Sequence, residues 1–339
     1  VLTSAAEPDP LADLEYYAGK TSAAGPAMTY SIYGIVASAV SESGCEAYTR
    51  TEQGWQPYVR TWTQFSEQQQ DVYTEASQFN PAYTFLTGHG GFLQSFTHGL
   101  TGYRTRTNTF YLDPSLFPQL SDGITVRGMH WHGTRLDVSV GGSNSSVTHV
   151  NGTEPITVQL AERNPLAGNY TLAPGETLTF PTRRTDATLT SPGNLAQCKN
   201  ATSEQEFVKG QFPYGAIDGS NATLWSPLNA STPSTLLIDL GEPFNISSLH
   251  VNWGQYPAET LSIRTGLTAG GELTEAAASM PVNVSSAFDA ANALVIDLAE
   301  GNQTDVTLAS TTAARFVALE IQGCATEGQL PTIAEAIVR

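Results

Sequence analysis

The hydrophobic period of this chain changes near residue 107, from about three and a half to two, so no single kind of layer can hold both halves. Before the change, "AMTYSIYGIVASAVSESG" places Tyr30, Tyr33, Ile35 and Val36 at helical spacings and ends at Gly44. "DPLADLEYYA" reads as an earlier helix, and from Gly91 "GFLQSFTHGL" sets Leu93, Phe96 and Leu100 on one stripe. After the change, "ITVRGMHW", "TRLDVSV", "SVTHV", "ITVQL", "NYTL" and "ETLTF" are short strands between Gly, Asn and Pro turns. They predict an antiparallel sandwich of about 80 residues. A linker near "PTRRTDATLTSPGN" leads to a second β unit, with strands at "TLLIDLG", "SSLHVNW", "TLSIRTG", "ALVIDLA" and "ARFVALEIQG".

Composition narrows the function. A chain of 339 residues with 40% apolar and 14% charged residues can fill two or three cores. A net charge of −17 argues against nucleic acid, which needs a basic stripe, and suits an uncharged substrate. No apolar run reaches the roughly 18 residues of a membrane span. The start "VLTSAAEPDP" has neither Met nor a leader, as expected of a mature chain or a piece of a processed precursor. Nine of fifteen asparagines lie in Asn-X-Ser/Thr sequons: Asn144, Asn151, Asn169, Asn200, Asn221, Asn229, Asn245, Asn283 and Asn302. That density points to the secretory route and a glycoprotein outside the cell, in the wall or in a vacuole. Of three cysteines, Cys198 and Cys324 stand at the two ends of the last unit and make a sensible disulfide, which leaves Cys45 over. Three cysteines allow three pairings.

Chemistry-bearing residues concentrate between Trp62 and His98. Glu67, Asp71 and Glu75 sit among aromatic and amide side chains with no Lys or Arg. Sugar sites use that mixture: rings stack on the apolar sugar face, amides bond the hydroxyls, and a carboxylate acts as base on water. The alternative is a solvated helix end with ordinary acids. In "TGHGG", Gly88, Gly90 and Gly91 around His89 read as a turn needing positive φ and close packing. The nucleotide-loop patterns are absent from it. "GMHWHG" puts His130 and His132 on one face of a strand, a possible metal pair; no acid or cysteine stands at a matching spacing, and no metal is expected, the alternative being a strand with polar residues on one face and Trp131 in the core. "YGAIDGSNATLWSP", with Asp218, Asn221 and Trp225, reads either as a calcium or ligand loop or as a packed corner.

About 100 helical residues are too few to close a helical fold, and their apolar face would stand open. The remaining helices are therefore expected on another chain cut from the same precursor.

The stretches "FSEQ…NPAYTFLTGHGGFLQSFTHGLTGYR" and "YLDPSLFPQLSDGITVRGMHWHGTRLDVSV" resemble the C-terminal part of fungal acid trehalases of glycoside hydrolase family 65. The resemblance covers about residues 8–185. Beyond it, "AIDGSNATLWSP" and "LLIDLGEPFNISSLHVNWG" are similar to a discoidin-type (factor 5/8 C) sandwich. The resemblance implies a multidomain α plus all-β chain. Residues 1–106 would be the C-terminal helices of an (α/α)6 barrel, 107–190 a β-sandwich, and 195–339 a discoidin-like β-sandwich. It also implies hydrolysis of α,α-trehalose with inversion, by an acid and a base about 6.5–9.5 Å apart. Glu67 matches the general base, with Glu75 in reserve, and the acid falls on the N-terminal partner chain. Trp62, Gln68, His89 and Gln94 are the expected lining, with no cofactor. The alternatives are a phosphorylase or hydrolase of another α-linked glucobiose, or a non-catalytic glycan-binding chain.

Overall fold

The computed structural model describes residues 9–22, 25–41, 44–69, 81–183, 189–284 and 302–339. Its chain forms two compact units: residues 24–188, and residues 1–23 with 189–339. The described helices are α1 (Pro10–Lys20), α2 (Thr29–Val40), α3 (Cys45–Gln53) and α4 (Leu86–Gln94), and α4 runs on into a π-helical turn over Ser95–Leu100. The units cut across the expected division. Helix α1 groups with the C-terminal β unit, while α2–α4 and the first sandwich form one body.

In the unit of residues 24–188, α2 is the hub because its small residues admit close neighbours. A Cβ on Gly34 would lie 2.7 Å from Thr51 Oγ1, and one on Gly54 would lie 2.6 Å from Ser31 Oγ. Helix α3 then packs flat on α2 with Glu46 and Arg50 buried as an i,i+4 pair, Nε to Oε1 3.3 Å. The sequence "CEAYTRTEQ" has no apolar stripe, so period alone does not reveal this helix.

The sandwich comprises β1 (Phe110–Leu112), β2 (Ile124–Trp131), β3 (Thr134–Val140), β4 (Asn144–Asn151), β5 (Ile156–Leu160), β6 (Gly168–Leu172) and β7 (Thr177–Pro181). One sheet has the order β2-β3-β4-β7 and the other β1-β5-β6. All pairs are antiparallel except β1 with β5, which is parallel. Phe110, Leu136, Val138, Val147, Val158, Leu172 and Phe180 from both sheets share one core.

The other unit carries β8 (Asn200–Thr202), β9 (Ser234–Asn252), β10 (Thr260–Gly266), β11 (Thr274–Pro281), β12 (Gln303–Gln322) and β13 (Glu335–Val338). Their order is β11-β10-β12-β9-β13, with β8 also on β9. "TLLIDLG" and "SSLHVNW", read as two strands, are one long strand bent near Gly241, whose φ is +87°. "ALVIDLA" lies outside the described residues. Trp225 and Trp253 are fully buried in the core. Asp218 Oδ1 accepts from Ser220 N–H (3.0 Å) and Thr223 Oγ1 (2.7 Å), holding the loop before Trp225 as a packed corner. Helix α1 begins as its sequence dictates: Asp9 caps the N–H groups of Leu11 and Ala12, with Pro10 at the first helical position. Its Glu15 accepts from Ser220 Oγ at 2.7 Å.

Two expectations are corrected. Cys324 is a free thiol, so the expected Cys198–Cys324 bond does not form. Standing at the two ends of a unit did not bring the thiols together. Asn302 is only 3% exposed, and its Nδ2 donates to Gly254 O (2.9 Å) and Gln255 O (3.3 Å), so this sequon is closed in the folded chain. Asn144, Asn151, Asn169, Asn200, Asn229, Asn245 and Asn283 are exposed, and Asn221 is half-buried. Peptide mapping without reductant is expected to find Cys324 alkylated and the Asn302 peptide without glycan. A Cys198–Cys324 peptide or a glycosylated Asn302 contradicts the fold.

Glu335 is wholly buried, and desolvation, then the carboxylates of Asp218 and Glu15, push its carboxyl well above the usual range. Hydrogen bonds from Gly219 N–H and Asn194 oppose the rise. The folded chain keeps a proton there that the unfolded chain releases at an ordinary carboxylate pKa. The stability linked to that proton is full in acid, and it is lost as pH rises from the ordinary carboxylate range through the folded-state pKa. Thermal unfolding between pH 4 and 8 is expected to show a smaller loss of Tm with rising pH in Glu335→Gln than in wild type. An unchanged slope contradicts the assignment.

Candidate functional site

"TGHGG" is not a turn before a helix. It lies within the first two turns of α4, and none of its three glycines has positive φ. Close packing explains two of them. A Cβ on Gly88 would meet Phe65 Cδ1 at 2.8 Å and Ala27 O at 3.0 Å, and one on Gly91 would meet Ser31 Cβ at 3.0 Å. Gly90 has nothing within 4 Å. The glycines let the start of α4 settle onto α2 and onto the Phe65 segment that leads to Glu67. Left-handed backbone occurs instead at Thr84 (φ 58°), just before α4, and at consecutive Trp62 (φ 67°) and Thr63 (φ 57°).

Glu67 is half-buried on a short extended segment. Its N–H donates to Ala82 O (2.9 Å), its carbonyl accepts from Ala27 N–H (2.9 Å), and its Oε2 accepts from Ala82 N–H (3.0 Å). Arg60 pins the next turn by donating to the carbonyls of Gln68 (3.0 Å) and Gln69 (2.7 Å). Two residues before Glu67, Phe65 is buried and tilts against the His89 ring at 4.7 Å between centroids. His89 Nδ1 lies 3.0 Å from Phe85 O, which fixes the ring. The structure therefore brings Glu67, Gln68 and His89 onto one small scaffold of the Phe65 segment and α4.

Trp62 and Gln94 are both exposed, Trp62 three residues before Phe65 and Gln94 at the C-terminal end of α4. Trp62 is 90% exposed, on a two-residue left-handed turn that costs non-glycine residues about 1–3 kcal/mol each. Glu75 and Asp71 lie outside the described residues. His130 and His132 do not share a strand face: β2 ends at Trp131, and His132 sits in the following turn with φ +47°, its ring tilted 42° against that of Trp131 at 4.1 Å between centroids. Arg60 escaped the sequence reading because it falls just outside the acid- and amide-rich window that drew attention.

A second feature is an open apolar surface on the helices, of the kind their small number leads one to expect. Leu86 and Leu93, seven residues apart on α4, are 76% and 61% exposed; Met28 and Ile32 at α2 and Tyr83 before α4 are also exposed.

Residues 103–164 match the family described as "Glycosyl hydrolase family 65, C-terminal domain". The cell wall acid trehalase of Arthroderma benhamiae is 36% identical over 92% of this chain and 33% of its own length. The chain is a homologue of fungal acid trehalases. The acid trehalase of Emericella nidulans is 34% identical over 75% of the chain and 26% of its own length. The chain thus spans a third or less of the curated relatives it matches. A protein-glucosylgalactosylhydroxylysine glucosidase of Danio rerio is 26% identical over 56% of the chain and 26% of its own length. A solved chitosan-binding module from Paenibacillus is 20% identical and covers 43% of the chain and 98% of the module, at a TM-score of 0.34.

The glycine contacts make a direct test. Gly88→Ala is expected to destabilise the unit of residues 24–188 by about 1–3 kcal/mol through forced displacement of Phe65. Gly90→Ala, in open space on the same helix, is expected to stabilise by up to about 1 kcal/mol. Denaturant unfolding that ranks the two the other way contradicts the packing described.

Proposed function

We propose that this chain is the C-terminal part of a secreted acid trehalase that hydrolyses α,α-trehalose to two glucose molecules with inversion. The observation that carries the proposal is the 36% identity to a cell wall acid trehalase over 92% of the chain. On this reading α2–α4 are the last helices of an (α/α)6 barrel, and the second β unit is a discoidin-like accessory domain. The barrel's other helices and the general acid belong to the N-terminal part of the same precursor, either joined or as a separate chain. The exposed Met28, Ile32, Leu86 and Leu93 support it, since they are the apolar face such helices would cover. The relatives' cell wall and periplasmic names support a place outside the cell or in the wall.

Glu67 serves as the general base. Its Oε2 is held by Ala82 N–H, which fixes the carboxylate orientation and leaves Oε1 to draw a proton from the attacking water. His89 and Gln68 donate to glucose hydroxyls, and the exposed ring of Trp62 offers an apolar sugar platform. One carboxyl must be ionised and the other protonated, which gives an optimum in acid. The glucosidase relative favours one second reading, hydrolysis of another α-linked glucoside by the same residues.

The test is the full precursor with trehalose at about pH 5, with and without phosphate. Glu67→Gln is expected to lower kcat by about 10²–10⁴-fold with the fold intact. Undiminished turnover removes the assignment of Glu67, and phosphate-dependent release of glucose phosphate makes the enzyme a phosphorylase.

A further inference from the structure

The cations of this acidic chain are unevenly placed. Of its 15 Lys and Arg residues, Arg104, Arg106 and Arg163 line a single cleft of about 550 Å³ inside the unit of residues 24–188. Arg183 stands close by, its Nε 3.9 Å from Asp113 Oδ1. None of the lining residues belongs to the Glu67–His89 scaffold.

The fold builds this cleft. Strands β1 and β5 run parallel with Tyr111 opposite Gln159, which sets their side chains at one level. Gly102, with φ +63°, lets the chain leaving the π-helical turn press against Asp113; a Cβ there would lie 2.1 Å from Asp113 O. The end of α2 closes the cleft with Ser38 and Ala39.

The lining is rich in donors and poor in free acceptors. Asp113 is engaged by Arg163 through both Nε (2.9 Å) and Nη2. Gln159 Oε1 already accepts from Thr109 Oγ1 at 2.8 Å, which leaves its amide N–H groups. Burial, then Asp113, raises the Tyr111 phenol, so it remains a donor. Arg104 uses only Nη1, on His98 O and Tyr103 O, both 2.8 Å. Arg106 has no hydrogen bond among the described residues; its guanidinium lies over the Tyr111 ring, 5.2 Å from the centroid. Arg183 Nε is buried with no hydrogen-bond acceptor among the described residues. Burial depresses the Arg104 and Arg183 guanidiniums, the latter to about 10, with Arg163 adding to the effect at Arg183. The remaining acid is Glu162, exposed at the rim. Four guanidiniums against two carboxylates leave a positive cleft in a chain of net charge −17.

We propose that this cleft is a receptor for a tetrahedral oxyanion, phosphate or sulfate, held by Arg104, Arg106 and Arg163 with Tyr111 and Gln159. Planar guanidinium forks match such oxygens bidentately, and charge-assisted bonds in a partly desolvated site are the strong ones. The volume exceeds that of a bare anion and leaves room for a sugar ester of it. The source is therefore a free oxyanion or one carried on a sugar, and the two differ in which probe binds tighter.

Isothermal titration of the full-length protein at pH 7 and constant ionic strength separates these. Inorganic phosphate and sulfate are expected to bind saturably, with chloride as the reference anion. Arg106→Ala is expected to weaken phosphate about ten- to hundredfold. That residue is exposed and makes no hydrogen bond among the described residues, so its loss leaves the unit folded. Arg127→Ala removes the same charge from exposed β2 and is expected to leave affinity unchanged. Glucose 6-phosphate binding tighter than phosphate, with glucose silent, assigns the ester; equal affinities assign the free ion. No saturable phosphate heat, equal losses in Arg106→Ala and Arg127→Ala, or glucose binding as well as its phosphate would overturn the proposal.

Discussion

The C-terminal carbonyls of α2 are where the helical half of residues 24–188 is joined to its sandwich. A helix end leaves carbonyl groups without intrahelical partners and carries partial negative charge. Here the sandwich supplies the donors. Ser38 O accepts from Ser115 Oγ (3.0 Å) and from Arg183, and Ala39 O accepts from Arg163 Nη1 (2.7 Å). Asp113 holds both arginines in place. Because α2 is also the helix on which α3 and α4 close, the orientation of this one helix sets the position of the Phe65 segment and of Glu67.

That joint explains why the unit does not divide where the hydrophobic period changes. Period reports which residues face a core and not which cores share a boundary. Strands β2 to β7 were legible because their alternation matches the pleat, down to "TRLDVSV" and "ITVQL" appearing as whole strands. Helix α3 was not, because most of what it buries is polar or charged (Glu46, Thr49, Arg50, Thr51, Glu52 and Gln53, beside Cys45 and Ala47), so burial leaves no apolar stripe in the sequence. Strand β11, "TEAAASMP", reads like helix by propensity and is a strand only because β10 offers it an edge. The bend that merges two expected strands into β9 is a glycine effect and invisible to alternation.

The candidate site was half legible. The acid, amide and aromatic mixture around Glu67 drew attention through composition, and the structure gives Glu67, Gln68 and His89 a common scaffold. The reason for the glycines changed. They serve close approach of α4 and not left-handed backbone, which falls on Trp62, Thr63 and Thr84, residues with no signature for it. Arginines at 104, 106, 163 and 183 are too far apart in sequence for a motif, and only the parallel β1–β5 pairing and the end of α2 collect them.

Native-state hydrogen exchange of the full-length protein, comparing amides of α2 with those of β3 and β4, tests the central claim that helices and sandwich are one body fastened at Asp113. The account predicts equal opening free energies for the two sets in wild type. In Asp113→Ala, α2 should open at lower energy while β3 and β4 keep theirs. Separate opening of α2 already in wild type, with no further change in Asp113→Ala, would contradict it.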